Sequence, residues 1–141
     1  MSGICYRLHN NNIEILIAKR SSLRQLYPDL WECGGGQVNF NENFEEAVIR
    51  QMKEELGIIV KKVIPFSVYE IFVPEYEQKK IPGVAFYCMF DSYVDSKGAM
   101  LDKSEFTECK WVKADEIDNY EVIPGVANDI KQALRILTFK F

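Results

Sequence analysis

The chain lacks the features that mark several protein classes. Among its 141 residues there is one histidine, His9. It sits beside an asparagine turn and reads as a surface residue. Cysteine is sparse. Cys5, Cys33, Cys88 and Cys109 form no C-x-x-C pair and match no zinc spacing. They read as reduced thiols of a cytoplasmic protein, most of them buried. No apolar run approaches the ~18 residues that a membrane span needs. Met1 to Arg7 has no basic stretch leading into an apolar core, so no signal peptide is expected there. There is no basic excess either. Lys plus Arg number 17 against 21 Asp plus Glu, a formal charge of −4. That balance argues against a nucleic-acid polymer as partner. It leaves an anionic small molecule open, because a bound cation inverts the local field.

What is present is an ordinary globular composition, 48% apolar and 27% charged, with no repeat or linker. Residues 1–141 read as one domain, long enough to bury a sizeable core. Two strands, 3–8 and 13–20, flank Asn10-Asn11-Asn12, a turn cluster suited to positive φ. Residues 21–30 read as a loop around Pro28. Ile58 to Val73 is β-rich, Pro74 to Pro82 reads as a charged loop, and Val84–Tyr93 and Phe106–Val112 read as strands. A last helix follows Pro124, with Val126, Ile130, Ala133, Leu134 and Leu137 as its apolar stripe. Strands before, between and after two helices predict an α/β fold with a mixed β-sheet, its helices covering the faces.

Two segments are unusual. Gly34-Gly35-Gly36 costs conformational entropy, so these glycines belong where the backbone takes unusual angles or approaches something closely. Residues 43–56 predict a helix capped by Asn43, with Glu46 as the capping-box partner and Gly57 as the stop. On a helical wheel Phe44, Ala47, Val48, Ile49, Met52 and Leu56 form the core face. Glu46, Arg50 and Lys53 lie opposite. Glu55 falls inside the apolar arc, with Gln51 to one side and Glu54 at its edge. A surface pair would put both glutamates on the polar face. A core-facing carboxylate instead needs an ion pair, a raised pKa or a metal ion. The row Glu55, Gln51, Ala47 points back toward the glycines. A hard cation such as Mg²⁺ is matched by two carboxylates and a glycine-loop carbonyl.

These residues resemble the box of the Nudix hydrolase family (MutT-like), G-x5-E-x7-R-E-U-x-E-E-x-G-U, where U is a bulky aliphatic. Gly36, Glu42 and the run from Arg50 to Ile58 fit it at every fixed position but one, where Gln51 replaces Glu. Trp31-Glu32 before the glycines, and Glu108-x-x-Trp111-Val112 followed by Asp115-Glu116-Ile117, resemble the family's flanking segments. The resemblance implies an α/β/α sandwich. It implies hydrolysis of a nucleoside diphosphate linked to another group, with Mg²⁺ or Mn²⁺. Glu54, Glu55 and the Gly36 carbonyl would hold the metal. Arg50 would pair with Glu42 and position the box. Gly35, Gly36 and Tyr76 would meet the substrate.

Gln51 cannot act as a base near neutral pH. Glu105 or Glu108 is the favoured substitute, with Glu70, Glu75 and Glu77 as further acids. Two family spacings compete: Pro74 resembles ADP-ribose hydrolases and Tyr76 dinucleoside polyphosphate hydrolases. The compact length resembles (d)NTP pyrophosphohydrolases. Tyr69, Phe72, Tyr76 and Phe86 are candidates for base stacking. The alternatives are a catalytically weak nucleotide-binding module, or another chemistry on the fold such as isoprenyl diphosphate isomerisation, for which no second motif is present. A homodimer is compatible with the fold.

Overall fold

Asn10 and Asn11 both adopt positive φ, 49° and 62°, and close a tight hairpin. Asparagine tolerates this region because its short polar side chain bonds locally. The hairpin joins β1 (Ser2–His9) to β2 (Asn12–Arg20). β3 (Trp31–Glu32), α1 (Phe44–Leu56), β4 (Ile58–Phe72), β5 (Lys80–Tyr93), β6 (Phe106–Lys113) and α2 (Val126–Lys140) follow. The computed structural model describes residues 1–72 and 80–140.

The strand order is β3-β2-β1-β5-β4, with β6 also on β2. β1 and β5 run parallel and the other pairs are antiparallel, giving the mixed sheet that the sequence predicts. One detail of β2 sets up the site. β6 takes one of its edges from Glu14 to Arg20. The other edge pairs with β1 as far as Ile15, then with β3 at Ala18 and Lys19. A strand has only two edges, so β1 must leave β2 where β3 enters. The glycine loop fills the split and pairs back onto β1: Gly3 N donates to the Gly34 carbonyl (3.2 Å) and Gly36 N to that of Met1 (2.9 Å). Gly34 and Gly35 have φ of 109° and 147°. A Cβ on Gly35 would collide with the backbone of Met1 and Ser2.

Alternation along the strands sends side chains to two cores. On one face Ile4, Ile15, Ile17 and Val112 meet Ile130 and Leu137 of α2. On the other, Leu16, Ala18 and Phe86 meet Val48, Met52 and Leu56 of α1. The helices therefore cover opposite faces, as expected of an α/β/α sandwich. Asn43 caps α1 with a complete capping box through Glu46, and Gly57 ends it in the left-handed region (φ 65°).

Two local expectations differ. Lys80, Ile81 and Pro82 belong to β5 rather than to a loop. Proline is tolerated there because β1 reaches β5 only from Ala85 onward, so Pro82 has β4 on one side only. Phe44 is half exposed, because it is the helix's first residue and its ring leans on Phe86 (5.8 Å between centroids). All four cysteines are free thiols, three of them buried. No helix among the described residues is long and apolar enough to cross a membrane.

Candidate active site

α1 carries the candidate side chains, and an ion-pair clamp fixes the loop that precedes it. Arg50 Nη2 lies 2.6 Å from Glu42 Oε1, and its Nε lies 2.9 Å from Oε2, a two-pronged pair. Arg50 also donates to the Gln37 carbonyl (3.0 Å), and Glu42 accepts from the Asn39 N–H (2.8 Å). The planar guanidinium fork suits such a junction better than a lysine would. Its charge, with the Asn39 N–H, holds the Glu42 carboxyl below its usual range. Arg50 in turn is pushed upward by Glu42. Residues 37–42 are thereby tied to the helix.

Glu55 lies where the wheel places it, half-buried and turned toward the glycine loop. A Cβ on Gly34 would sit 3.9 Å from its Oε2. Burial pushes the Glu55 carboxyl up to about 7, and the nearby charges of Glu105 and Glu32 push the same way. Arg24 and the Gly35 N–H oppose them without prevailing. Arg24 is already engaged: its Nη2 pairs with Glu105 (3.0 Å) and its Nη1 approaches Glu32 (4.0 Å). Glu32 also takes Arg20 (2.6 Å). Three carboxylates thus share two arginines, and Glu55 is the one with no arginine paired to it among the described residues.

Gln51 sits between Arg50 and Glu55. In the amide orientation that satisfies both, it donates to Glu55 Oε1 (2.8 Å) and accepts from Arg50 Nη1 (3.1 Å). A carboxylate at this position would keep the Arg50 contact and turn the Glu55 contact into a repulsion. Gly36 packs against the same amide; a Cβ there would lie 2.5 Å from the nearest Gln51 atom.

The other expected residues are placed as follows. Glu54 is exposed and pairs with Arg50 (3.3 Å). Glu105 is within electrostatic reach of Glu55. Glu108 pairs with Lys110 (3.4 Å), and Glu70 with Lys80 (2.7 Å). The Gly36 carbonyl accepts from the Met1 amino nitrogen (2.7 Å). Phe86 is buried in the α1-side core. Pro74, Glu75, Tyr76 and Glu77, and the side chain of Phe72, lie outside the described residues. The sequence reading missed Arg20 and Arg24, which the 21–30 loop folds back onto the site. It also missed Asp129 on α2, although the wheel applied to Glu55 would have placed Asp129 beside the apolar stripe.

The glycine loop also borders a cavity of about 250 Å³ between the sheet and the start of α2, lined by Gly34, Gly35, Tyr69, Val126 and Asp129 among others. Gly34 therefore lines the cavity and, on the side where a Cβ would stand, faces Glu55. Among the described residues no three acidic, histidine or cysteine side chains converge as a ready-made metal cluster. The donor set that fits a hard cation here is mixed: the Glu54 and Glu55 carboxylates and the Gly36 carbonyl, all oxygen. The Gly36 oxygen has a second lone pair beyond its bond to Met1. A half-buried carboxylate raised by neighbouring negative charge is the kind of group that a divalent ion would stabilise.

Comparison with known proteins agrees with this geometry. A family model for the NUDIX domain matches residues 2–134. The nucleoside triphosphatase NudI of Klebsiella pneumoniae (strain 342) is 29% identical over 125 residues, covering 84% of this chain and 86% of that protein. Among solved structures, the NUDIX domain of Shewanella oneidensis NrtR, complexed with ADP ribose, superposes with a TM-score of 0.70 at 14% identity, over 96% of this chain and 85% of that one. A C. elegans Ap4A hydrolase in a binary complex gives 0.68 at 18% identity, over 97% and 95%. The box on α1, the split sheet with its glycine loop and the family match over nearly the whole length agree: the chain belongs to the NUDIX family.

Proposed function

We propose that this Nudix hydrolase is a metal-dependent pyrophosphohydrolase acting on a nucleoside diphosphate linked to another group, with nucleoside triphosphates as the first substrate class. The observation that carries the reading is Glu55: a core-facing carboxylate against the glycine loop, with Glu105 and Glu32 nearby and both local arginines paired elsewhere. The triphosphatase relative points to the substrate class. ADP-ribose and dinucleoside polyphosphates are further candidates, in line with the structural relatives.

Glu54, Glu55 and the Gly36 carbonyl would hold Mg²⁺ or Mn²⁺. When bound, the ion supplies neutralisation of the diphosphate and acidifies an attacking water. The chain's own residues do the positioning. Arg50 and Glu42 fix the loop, and Gln51 holds one Glu55 oxygen in place through its amide. Gly34 and Gly35 let the backbone approach the substrate, and Gly36 leaves room for the Gln51 amide. Glu105, beside Glu55 and held by Arg24, is the better placed of the two candidate bases; Glu108 pairs with Lys110 instead. Four free thiols fit a reducing compartment, the cytoplasm.

The test is a screen of nucleoside triphosphates, ADP-ribose and dinucleoside polyphosphates with Mg²⁺ or Mn²⁺, detecting released phosphate and pyrophosphate. Turnover that needs the metal is expected. Binding without turnover would instead favour the weak-module reading that Gln51 raises.

A further inference from the structure

We propose that Gln51 limits the metal site to a single divalent ion, because it sets a neutral amide, bonded on both sides, where a carboxylate would admit a second. This rests on the metal-dependent reading above and adds the ion count to it. Gln51 stands among the three oxygen groups assigned to the ion. Its amide donates to Glu55 Oε1 (2.8 Å) and accepts from Arg50 Nη1 (3.1 Å). The same Arg50 nitrogen reaches Glu54 Oε2 (3.3 Å). On its third side the amide packs against Gly36, where a Cβ would lie 2.5 Å from the nearest Gln51 atom.

The direction of these bonds matters. The Gln51 oxygen is turned to a guanidinium and its N–H to a carboxylate. On the Glu55 side it therefore presents a donor, not a lone pair. A cation entering there would meet the positive end of the amide and, behind it, Arg50. Glu55 Oε1 is already accepting, while Oε2 lies toward Gly34.

The charge balance points the same way. Five carboxylates gather at the site, those of Glu32, Glu42, Glu54, Glu55 and Glu105. Three arginines, Arg20, Arg24 and Arg50, pair among them. The balance is two negative charges, which a single divalent ion neutralises. A second ion would leave two positive charges uncompensated in a half-buried site, and that is costly. A glutamate at position 51 would add a third negative charge. Bonded to Arg50 through one oxygen, it would leave the other free beside Glu55. Without an ion, those two carboxylates would repel each other.

The experiment is calorimetric titration of Mn²⁺ into the metal-free full chain, without substrate, in wild type and Gln51→Glu. The melting temperature of each metal-free protein is measured alongside. Wild type should take up a single ion per chain. Gln51→Glu should take up a second, and its metal-free melting temperature should fall by about 2–8 °C and recover as Mn²⁺ is added. If the variant folds only with the ion present, its bound manganese is counted after gel filtration against the same expectation. Two ions in wild type would overturn the inference. So would a single ion in Gln51→Glu, the outcome expected of an amide that is merely structural. No uptake by either protein would sink the metal-dependent function and this inference together. The expected ion counts without turnover would sink the proposed function alone; metal-dependent turnover with the wrong counts would sink this inference alone.

Discussion

The two helices pack on opposite faces of one sheet and use their apolar arcs differently. α2 presents Ile130, Ala133, Leu134 and Leu137 to its core as a continuous stripe. α1 presents Ala47, Val48, Met52 and Leu56, but its arc is interrupted by Glu55. The sheet beneath differs as well. Under most of α2 lie β1, β2 and β6, whose Ile4, Ile15, Ile17 and Val112 meet the helix. Beside the start of α1's apolar face, β1 and β2 part and the glycine loop pairs back onto β1. One face is built for cohesion. The other gives up a core position to a carboxylate raised to about 7 by burial and like charge. Stability and chemistry are thus divided between the helices, with the half-buried Asp129 at the edge of the α2 stripe.

That contrast can be broken at several points. The largest expected effect is on the cohesive face. Leu137→Ala removes a fully buried side chain and should cost about 2–5 kcal/mol in urea unfolding, without altering the substrate profile of the folded fraction. Next is the clamp. Arg50→Ala frees residues 37–42 and should lower metal-dependent turnover about 10–100-fold, as loss of a group that positions metal ligands does. A smaller effect, of opposite sign for stability, is expected at the interruption itself. Glu55→Leu should raise stability by about 0.5–2 kcal/mol in metal-free thermal unfolding, and abolish turnover. A destabilised Glu55→Leu would show that the carboxylate holds the fold rather than the site.

The smallest effect is the pH dependence of the clamp. Arg50 keeps the folded Glu42 carboxyl below its ordinary value of 4.5. Glu42 therefore contributes stability above pH 4.5, and the contribution fades as pH falls through the lower folded value. Melting temperature against pH should show a shallower acid limb in Glu42→Gln than in wild type.

Much of this contrast was legible in the residues. Asn43, Glu46 and Gly57 mark both ends of α1, since capping is local chemistry. The wheel turns Glu55 inward because helical period depends only on spacing. The Nudix resemblance ordered the elements around them. What escaped depends on chain segments meeting from afar. Arg24 reaches Glu105 and Glu32 only because the 21–30 loop folds back, and no spacing in that loop announces it. Pro82 misled because proline breaks an interior strand, and nothing local says that β5 lacks a second neighbour there. Asp129 was within reach of the same wheel that singled out Glu55.

Everything proposed for the site turns on Glu55. The most direct measurement is release of phosphate and pyrophosphate from nucleoside triphosphates, with and without Mg²⁺, by wild type and Glu55→Gln. Glutamine keeps the size of the side chain and removes its charge. Wild type should turn over only with the ion, and Glu55→Gln should lose that activity while its circular dichroism spectrum stays unchanged. Near-wild-type turnover by a folded Glu55→Gln would contradict the assignment of this carboxylate to the metal site.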